Sequence, residues 1–363
     1  MTKVTFWGHF SGTGSFVVVC RNMAQVLHEA FGDELVIGNL RGDDYADDVW
    51  HIKHAIPSER QDVALRAQWN TAYGGPTREG IGLVFAFPEW NYNVPRYQHN
   101  IGYHVCDLDL IPDWWVEGMN YMDQILTPSR WCESVFHWNG VDVRTGVVPH
   151  GIGPWDDLDE GFRLADHFTF VHFCSSKDPG RKGTFELIEA FGKASGKMPG
   201  AELRIFTDSE VVQEEALNSP ANVLAVPDHY LRESGQYARY RQAHIVVQPS
   251  RAEGFGMIGL EALSVGVPVV ATDCTGHEQW VDPNKGGFVC VKTGSLSNCS
   301  PGPGRAPSLE VPDLVDALLY SYKNYDTLRR EAIARQSRTR EDWAWAQALR
   351  PLVNLLSEVG ATL

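Results

Sequence analysis

Two α/β domains, each built on a parallel sheet, are predicted from three observations. Short β-branched and aromatic runs alternate with helix-patterned stretches along the chain, the order in which crossover helices join parallel strands. A length of 363 residues corresponds to roughly two domains. A turn-rich stretch from Val148 to Asp159, holding Pro149, Gly151, Gly153 and Pro154, has the composition of a linker between them. No internal repeat relates the halves, so the expectation is two Rossmann-like domains facing across a cleft, residues 1–155 and 160–340.

The strand runs, in order, are Val4 to Trp7, Leu83 to Phe87, Asn100 to Val105, Ile125 to Thr127, Phe168 to Cys174, Leu203 to Phe206, Ile245 to Val247 and Val267 to Ala271. Between Thr184 and Lys197, Leu187, Ile188, Phe191 and Ala194 fall on one face of a 3.6-residue period, which predicts an amphipathic helix. Gly294 to Pro307, with Pro301-Gly302-Pro303-Gly304 beside serines, reads as a mobile surface loop.

Composition narrows the function classes. The hydrophobic share is 43% and the charged share 21%, values of a folded globular chain. Lys and Arg number 31 against 46 Asp and Glu, a formal net charge of −15 that disfavours bulk nucleic-acid binding without excluding a local basic patch. Arg329, Arg330, Arg335, Arg338 and Arg340 are the notable basic cluster, an exposed helix face in the plainest reading. The seven cysteines form no C-x-x-C pair, consistent with reduced thiols and a cytoplasmic location. No signal-peptide pattern opens the sequence, and no apolar run approaches the roughly 18 residues of a membrane span. Peripheral membrane contact through an amphipathic helix stays open.

Chemistry concentrates in Pro249 to Ala271, PSRAEGFGMIGLEALSVGVPVVA. A strand, a turn exposing Glu253, Gly254-Phe255-Gly256 and a short helix through Glu261 follow one another. The glycines let backbone N–H groups approach a ligand, and the helix start presents unpaired donors, so a diphosphate would sit there. Glu253 and Glu261 would flank it as carboxylate acceptors for sugar or ribose hydroxyls. After the strand Phe168 to Cys174 comes a basic turn, Ser175-Ser176-Lys177-Asp178-Pro179-Gly180-Arg181-Lys182-Gly183, able to neutralise a diphosphate leaving group.

The string Glu253-Gly-Phe-Gly, Glu261-Ala-Leu, Gly266-x-Pro-Val-Val resembles the C-terminal donor-site signature of retaining GT-B glycosyltransferases, family four, the group 1 type. The basic turn resembles that family's Arg-x-x-x-x-Lys-Gly, with Lys177 where the family places Arg and Lys182 at its lysine; Lys177 and Arg181 both stay open as the second cation. Val148-Pro149-His150-Gly151-Ile152 is similar to the family's hinge.

The resemblance implies a GT-B fold and transfer of a sugar, with retention, from a UDP- or GDP-sugar to a hydroxyl acceptor of unknown class. No tightly bound cofactor and no metal are implied. Catalytic roles fall to Lys182, Glu253 and His104, and donor binding to Lys177, Arg181, Gly254, Phe255, Gly256 and Glu261. The early turn Gly8-His-Phe-Ser-Gly12-Thr-Gly14 places Gly12 and Gly14 beside the donor phosphates, and a last helix, 341–363, packs back on the first domain. Same-fold alternatives are a nucleotide-sugar epimerase or hydrolase; a catalytically silent carbohydrate-binding scaffold is the rival from another class. Asp107-Leu108-Asp109 is formally an Asp-x-Asp metal triplet, but helix capping or acceptor contact is the expectation for it. Glu278 either supports the site or caps a helix.

Overall fold

The computed structural model describes residues 3–10, 15–40, 77–153, 155, 164–174, 178–227, 233–282, 285–299 and 304–362. The chain divides into two compact units. One comprises Met1–Cys106, Ile111–Gly151 and Ala344–Leu363; the other comprises Asp107–Leu110 and Ile152–Trp343.

In the first unit the chain runs β1 (Val4–Gly8), α1 (Ser15–Phe31), β2 (Leu35–Asn39), β3 (Arg78–Phe85), β4 (Tyr97–Tyr103), α2 (Asp113–Asn120), β5 (Gln124–Thr127), α3 (Arg130–Trp138) and β6 (Arg144–Val147). The six strands pair in parallel in the order β2-β1-β3-β4-β5-β6. Every residue of β1 is buried, because helices cover both faces of a parallel sheet and its central strands read as unbroken apolar runs. Strand β3 ends at Phe85, two residues short of the predicted Phe87, and Pro88 opens a 3-10 turn through Asn93.

The second unit repeats this architecture with β7 (Thr169–Phe173), α4 (Thr184–Ala194), β8 (Glu202–Phe206), α5 (Glu210–Asn218), β9 (Val223–Val226), α6 (Glu233–Gln242), β10 (Ile245–Gln248), α7 (Met257–Ser264), β11 (Val269–Thr272) and β12 (Phe288–Val291). Its parallel order is β12-β11-β10-β7-β8-β9. Strand order reverses between β7 and β10, and in such sheets ligands bind beyond the carboxyl ends of the strands at that point. The predicted face of α4 is the buried one: Leu187, Ile188, Phe191 and Ala194 all enter the core with Phe170, Leu203 and Val247.

One expectation is overturned. Gly294 to Pro307 is not simply a surface loop, since β13 (Thr293–Asn298) and β14 (Arg305–Leu309) pair antiparallel. Arg251 holds the hairpin, donating to Ser297 Oγ at 2.7 Å and to Pro307 O at 3.0 Å, and Cys299 and Ala306 are buried against Ala252. Pro301, Gly302 and Pro303 lie outside the described residues.

Two helices close the unit, α8 (Val311–Lys323) and α9 (Tyr325–Trp343). The last two, α10 (Trp345–Ala348) and α11 (Arg350–Gly360), cluster with the first unit, where α10 meets α1 and α11 meets β3. Leu349, Leu352 and Leu356 are fully buried there.

Candidate active site

The loops after β7 and β10, neighbours at the strand-order reversal, bring the predicted residues of the second unit together. After β7 the chain turns through Asp178–Lys182 and enters α4 at Gly183, whose φ is 67°. Only glycine fits, because a side chain there would run into the carbonyl of Pro249 in the neighbouring loop. That close approach sets Lys182 beside Glu253: Nζ donates to Oε1 at 2.5 Å. Arg181 lies on the other side, its Nη1 3.6 Å from Glu253 Oε2 and 3.4 Å from Asp107 Oδ2, with Nε donating to Asp178 Oδ2.

The glutamate expected to be exposed is therefore buried. The side chains of Lys182, Arg181 and Glu253 are only 12%, 11% and 9% accessible. Charges are tolerated at that depth because each has an opposite partner within ion-pair range. Burial alone would raise the Glu253 pKa, but Lys182, then Arg181 and His277, outweigh it and hold the carboxyl well below the usual range. Burial likewise works against the Arg181 charge, and Asp107, Glu253 and Asp178 more than restore it.

Beyond Glu253 comes the turn Gly254-Phe255-Gly256. Gly256, at φ 77°, begins α7 with no side-chain cap, so the helix start retains unpaired N–H groups. One of them is satisfied internally, Gly259 N donating to Gln248 Oε1 at 2.8 Å. Phe255 packs into the core and its carbonyl accepts from Trp280 Nε1 at 2.9 Å, so this residue shapes the turn through its backbone and ring. Glu261 is buried on α7, where its Oε2 accepts from the Tyr240 hydroxyl at 2.6 Å.

Two histidines form the floor. His172 on β7 lies between Val247 O, 2.8 Å from Nδ1, and Thr184 Oγ1, 2.9 Å from Nε2. His277 packs beneath Gly256, with Nδ1 3.1 Å from Thr272 O. A carbonyl can only accept, so Nδ1 carries the proton in both rings. Burial lowers both pKa values to about 4, leaving neutral rings beside Lys182 and Arg181 at physiological pH.

Sequence reasoning missed Asp107 as part of this cluster. Instead of capping a helix, Asp107 accepts the Gly254 N–H at 2.8 Å and faces Arg181. Asp109 binds the Arg305 guanidinium at 2.9 Å and its backbone N–H. Residue 112, not an aspartate, stands at the N-cap of α2. Among the described residues no group of three His, Cys, Asp or Glu is placed to hold a metal ion.

His104 belongs to the first unit and is wholly buried, with Nδ1 2.7 Å from Ala86 O and Nε2 3.0 Å from Asn91 Nδ2. Both nitrogens are engaged, and its pKa is lowered to about 4 by burial, so the ring ties the end of β3 to the following turn. Lys177, Gly12 and Gly14 lie outside the described residues. Glu278 is exposed on the 3-10 turn Thr275–Gln279. The arginines of α9 do not form one patch: Arg338 pairs with Asp342, Arg340 donates to Ser264 O and stacks over Trp155, and Arg335 donates to Gly286 O.

Residues 168–298 match the family model of glycosyl transferases group 1. Over this segment the chain is similar to the group 1 glycosyltransferases, and the segment holds β7 to β13, with Lys182, Glu253 and Glu261. The chain is 30% identical over 145 residues, 37% of each chain, to the GDP-mannose-dependent α-(1-6)-phosphatidylinositol monomannoside mannosyltransferase of Mycobacterium tuberculosis. It is 24% identical over 237 residues, 64% of this chain and 58% of the relative, to a phosphatidyl-myo-inositol mannosyltransferase of the same species. Across the curated relatives the aligned part spans between 17% and 58% of their length.

Among solved structures, sucrose-phosphate synthase from Thermosynechococcus elongatus superposes with a TM-score of 0.71 at 16% identity, covering both chains completely. Anabaena HepE, in complex with UDP and glucose, gives 0.68 at 15% identity, covering 99% of this chain and 100% of its own. These likenesses show the GT-B fold.

Proposed function

We propose that this chain is a retaining glycosyltransferase that moves a sugar from a nucleoside diphosphate donor, UDP- or GDP-linked, to the hydroxyl of an acceptor. The observation that carries the reading is the Lys182–Glu253–Arg181 cluster beside the uncapped start of α7. Breaking a sugar–phosphate bond places negative charge on the leaving diphosphate, and fixed cations with backbone N–H donors stabilise that charge most effectively where water is excluded. Lys182 and Arg181 supply the cations, Gly254 and the first residues of α7 the donors.

Glu253 is fully ionised in the cluster and acts as an acceptor, suited to sugar hydroxyls and not to proton donation. Glu261, oriented by Tyr240, takes the ribose hydroxyls. No side chain of the cluster is an activated nucleophile, which supports same-face attack in which the leaving phosphate draws the acceptor proton, with positioning and electrostatics supplying the rate. The relatives' printed activities and the UDP in a neighbouring complex support a nucleotide-sugar donor. Seven free thiols support a cytoplasmic setting.

The reading is tested by following nucleoside diphosphate release from UDP- and GDP-sugars with and without hydroxyl acceptors, and by the anomeric configuration of the product. Acceptor-dependent release with retained configuration is expected. Release of free sugar whatever the acceptor identifies a hydrolase, and inversion contradicts the same-face mechanism.

A further inference from the structure

We infer that Thr275 is a positioning residue of the donor site, holding Glu253 in place through its main chain. Thr275 is the only non-glycine residue with a left-handed backbone among the described residues, at φ 56°. A β-branched side chain is a poor occupant of that region, and such strain persists only where the surroundings enforce it. Here the return is visible. The buried Thr275 hydroxyl accepts the Glu253 N–H at 3.0 Å, and the next residue, Gly276, donates its own N–H to Glu253 O at 2.7 Å.

Consecutive residues of one turn thus grip both polar groups of Glu253, while Lys182 holds its carboxylate. The fit leaves no slack: a side chain on Gly276 would collide with the Glu253 carbonyl and the Gly254 backbone. A right-handed Thr275 would send the chain after Cys274 in another direction, and the two grips could not form together. The left-handed conformation is therefore the one that aims Glu253, and through it Gly254, at the donor.

This inference rests on the donor-site reading above, and its test separates the two. Calorimetric titrations of UDP, GDP, UDP-glucose and GDP-mannose are compared for wild type, Thr275→Ser, Thr275→Val, Thr275→Gly and Glu253→Gln, with melting temperatures measured alongside. Thr275→Val and Thr275→Gly are expected to bind the nucleoside diphosphate within about twofold of wild type and the sugar nucleotide about tenfold more weakly, the cost of one lost hydrogen bond from the sugar to a misplaced Glu253 carboxylate. Thr275→Ser, which keeps the hydroxyl, restores sugar-nucleotide binding. Thr275→Gly, free of the backbone strain that Thr275→Val keeps, separates misplacement from misfolding, because its melting temperature falls less than that of Thr275→Val while both lose the sugar contribution.

Unchanged sugar-nucleotide binding in Thr275→Val and Thr275→Gly, with Glu253→Gln impaired, overturns the role of Thr275 alone. Losses that track the melting temperature for every ligand also overturn it. If wild type binds none of the four, or Glu253→Gln binds as wild type does, the donor-site reading itself falls and this inference with it.

Discussion

Asp107 Oδ1 accepts the backbone N–H of Gly254 at 2.8 Å, joining two residues 147 positions apart in the sequence. The other oxygen, Oδ2, faces Arg181 at 3.4 Å. Those are the two partners a phosphate oxygen would seek at the start of α7, so Asp107 stands there as an internal anion. Residues 107–110 cluster with the second unit although both flanking segments belong to the first.

Replacing that anion with a neutral amide removes a competitor for the donor phosphates. Asp107→Asn is expected to bind the cognate nucleoside diphosphate several-fold more tightly, since the neutral amide no longer competes with the phosphates for the Arg181 charge. Arg181 keeps Asp178 and Glu253 as partners, so the fold is retained. Isothermal titration of both proteins checks this; weaker binding by the variant would instead mean that Asp107 helps to organise Arg181.

Lys182→Ala is expected to lower turnover about 100- to 1,000-fold, the usual effect of removing one preorganised donor to developing negative charge. The variant also leaves Glu253 buried with one cation fewer, so its pKa rises. Steady-state kinetics with a saturating donor make the comparison, and turnover at the wild-type rate would exclude Lys182 from the leaving-group site.

Gly256→Ala tests the turn itself. Its backbone is left-handed at φ 77°, and an added methyl would meet the His277 ring. The change is expected to cost about 2 kcal/mol or more of stability and to weaken diphosphate binding. A melting temperature equal to wild type would show that the turn has another conformation open to it.

How much of this was legible beforehand follows the physics of burial. The central strands β1, β3, β5, β7, β8, β10 and β11 lie between helices and carry continuous apolar runs, so they were predicted. Within the two large sheets the strands not foreseen, β2, β6, β9 and β12, are the four edges. Three of them, β6, β9 and β12, are half-exposed and have no such run to reveal them. Lys182, Arg181 and Glu253 lie together because the strands before them, β7 and β10, are neighbours in the sheet. Asp107 was not, since local sequence carries no sign of a partner 147 residues away; nor was Thr275, whose ordinary identity hides an unusual backbone.

Stability is expected to fall as pH drops from about 6.5 to about 4. His104, His172 and His277 are all lowered to about 4 by burial, while the unfolded chain's histidines keep an ordinary pKa near 6.5. In that window the unfolded state binds more protons, so protonation favours unfolding; above it the contribution is fully present. Melting temperature recorded across pH 4 to 8 checks the sign, and a flat profile would show that these rings are not buried in neutral form.

The most direct test of the donor-phosphate site is calorimetric titration of UDP and GDP, without added metal, into wild type and Lys182→Ala. One nucleotide is expected to bind wild type, and to bind the variant at least about tenfold more weakly. Binding of neither nucleotide by wild type, or equal affinity in the two proteins, would contradict the assignment of Lys182, Arg181 and the start of α7 to the donor diphosphate.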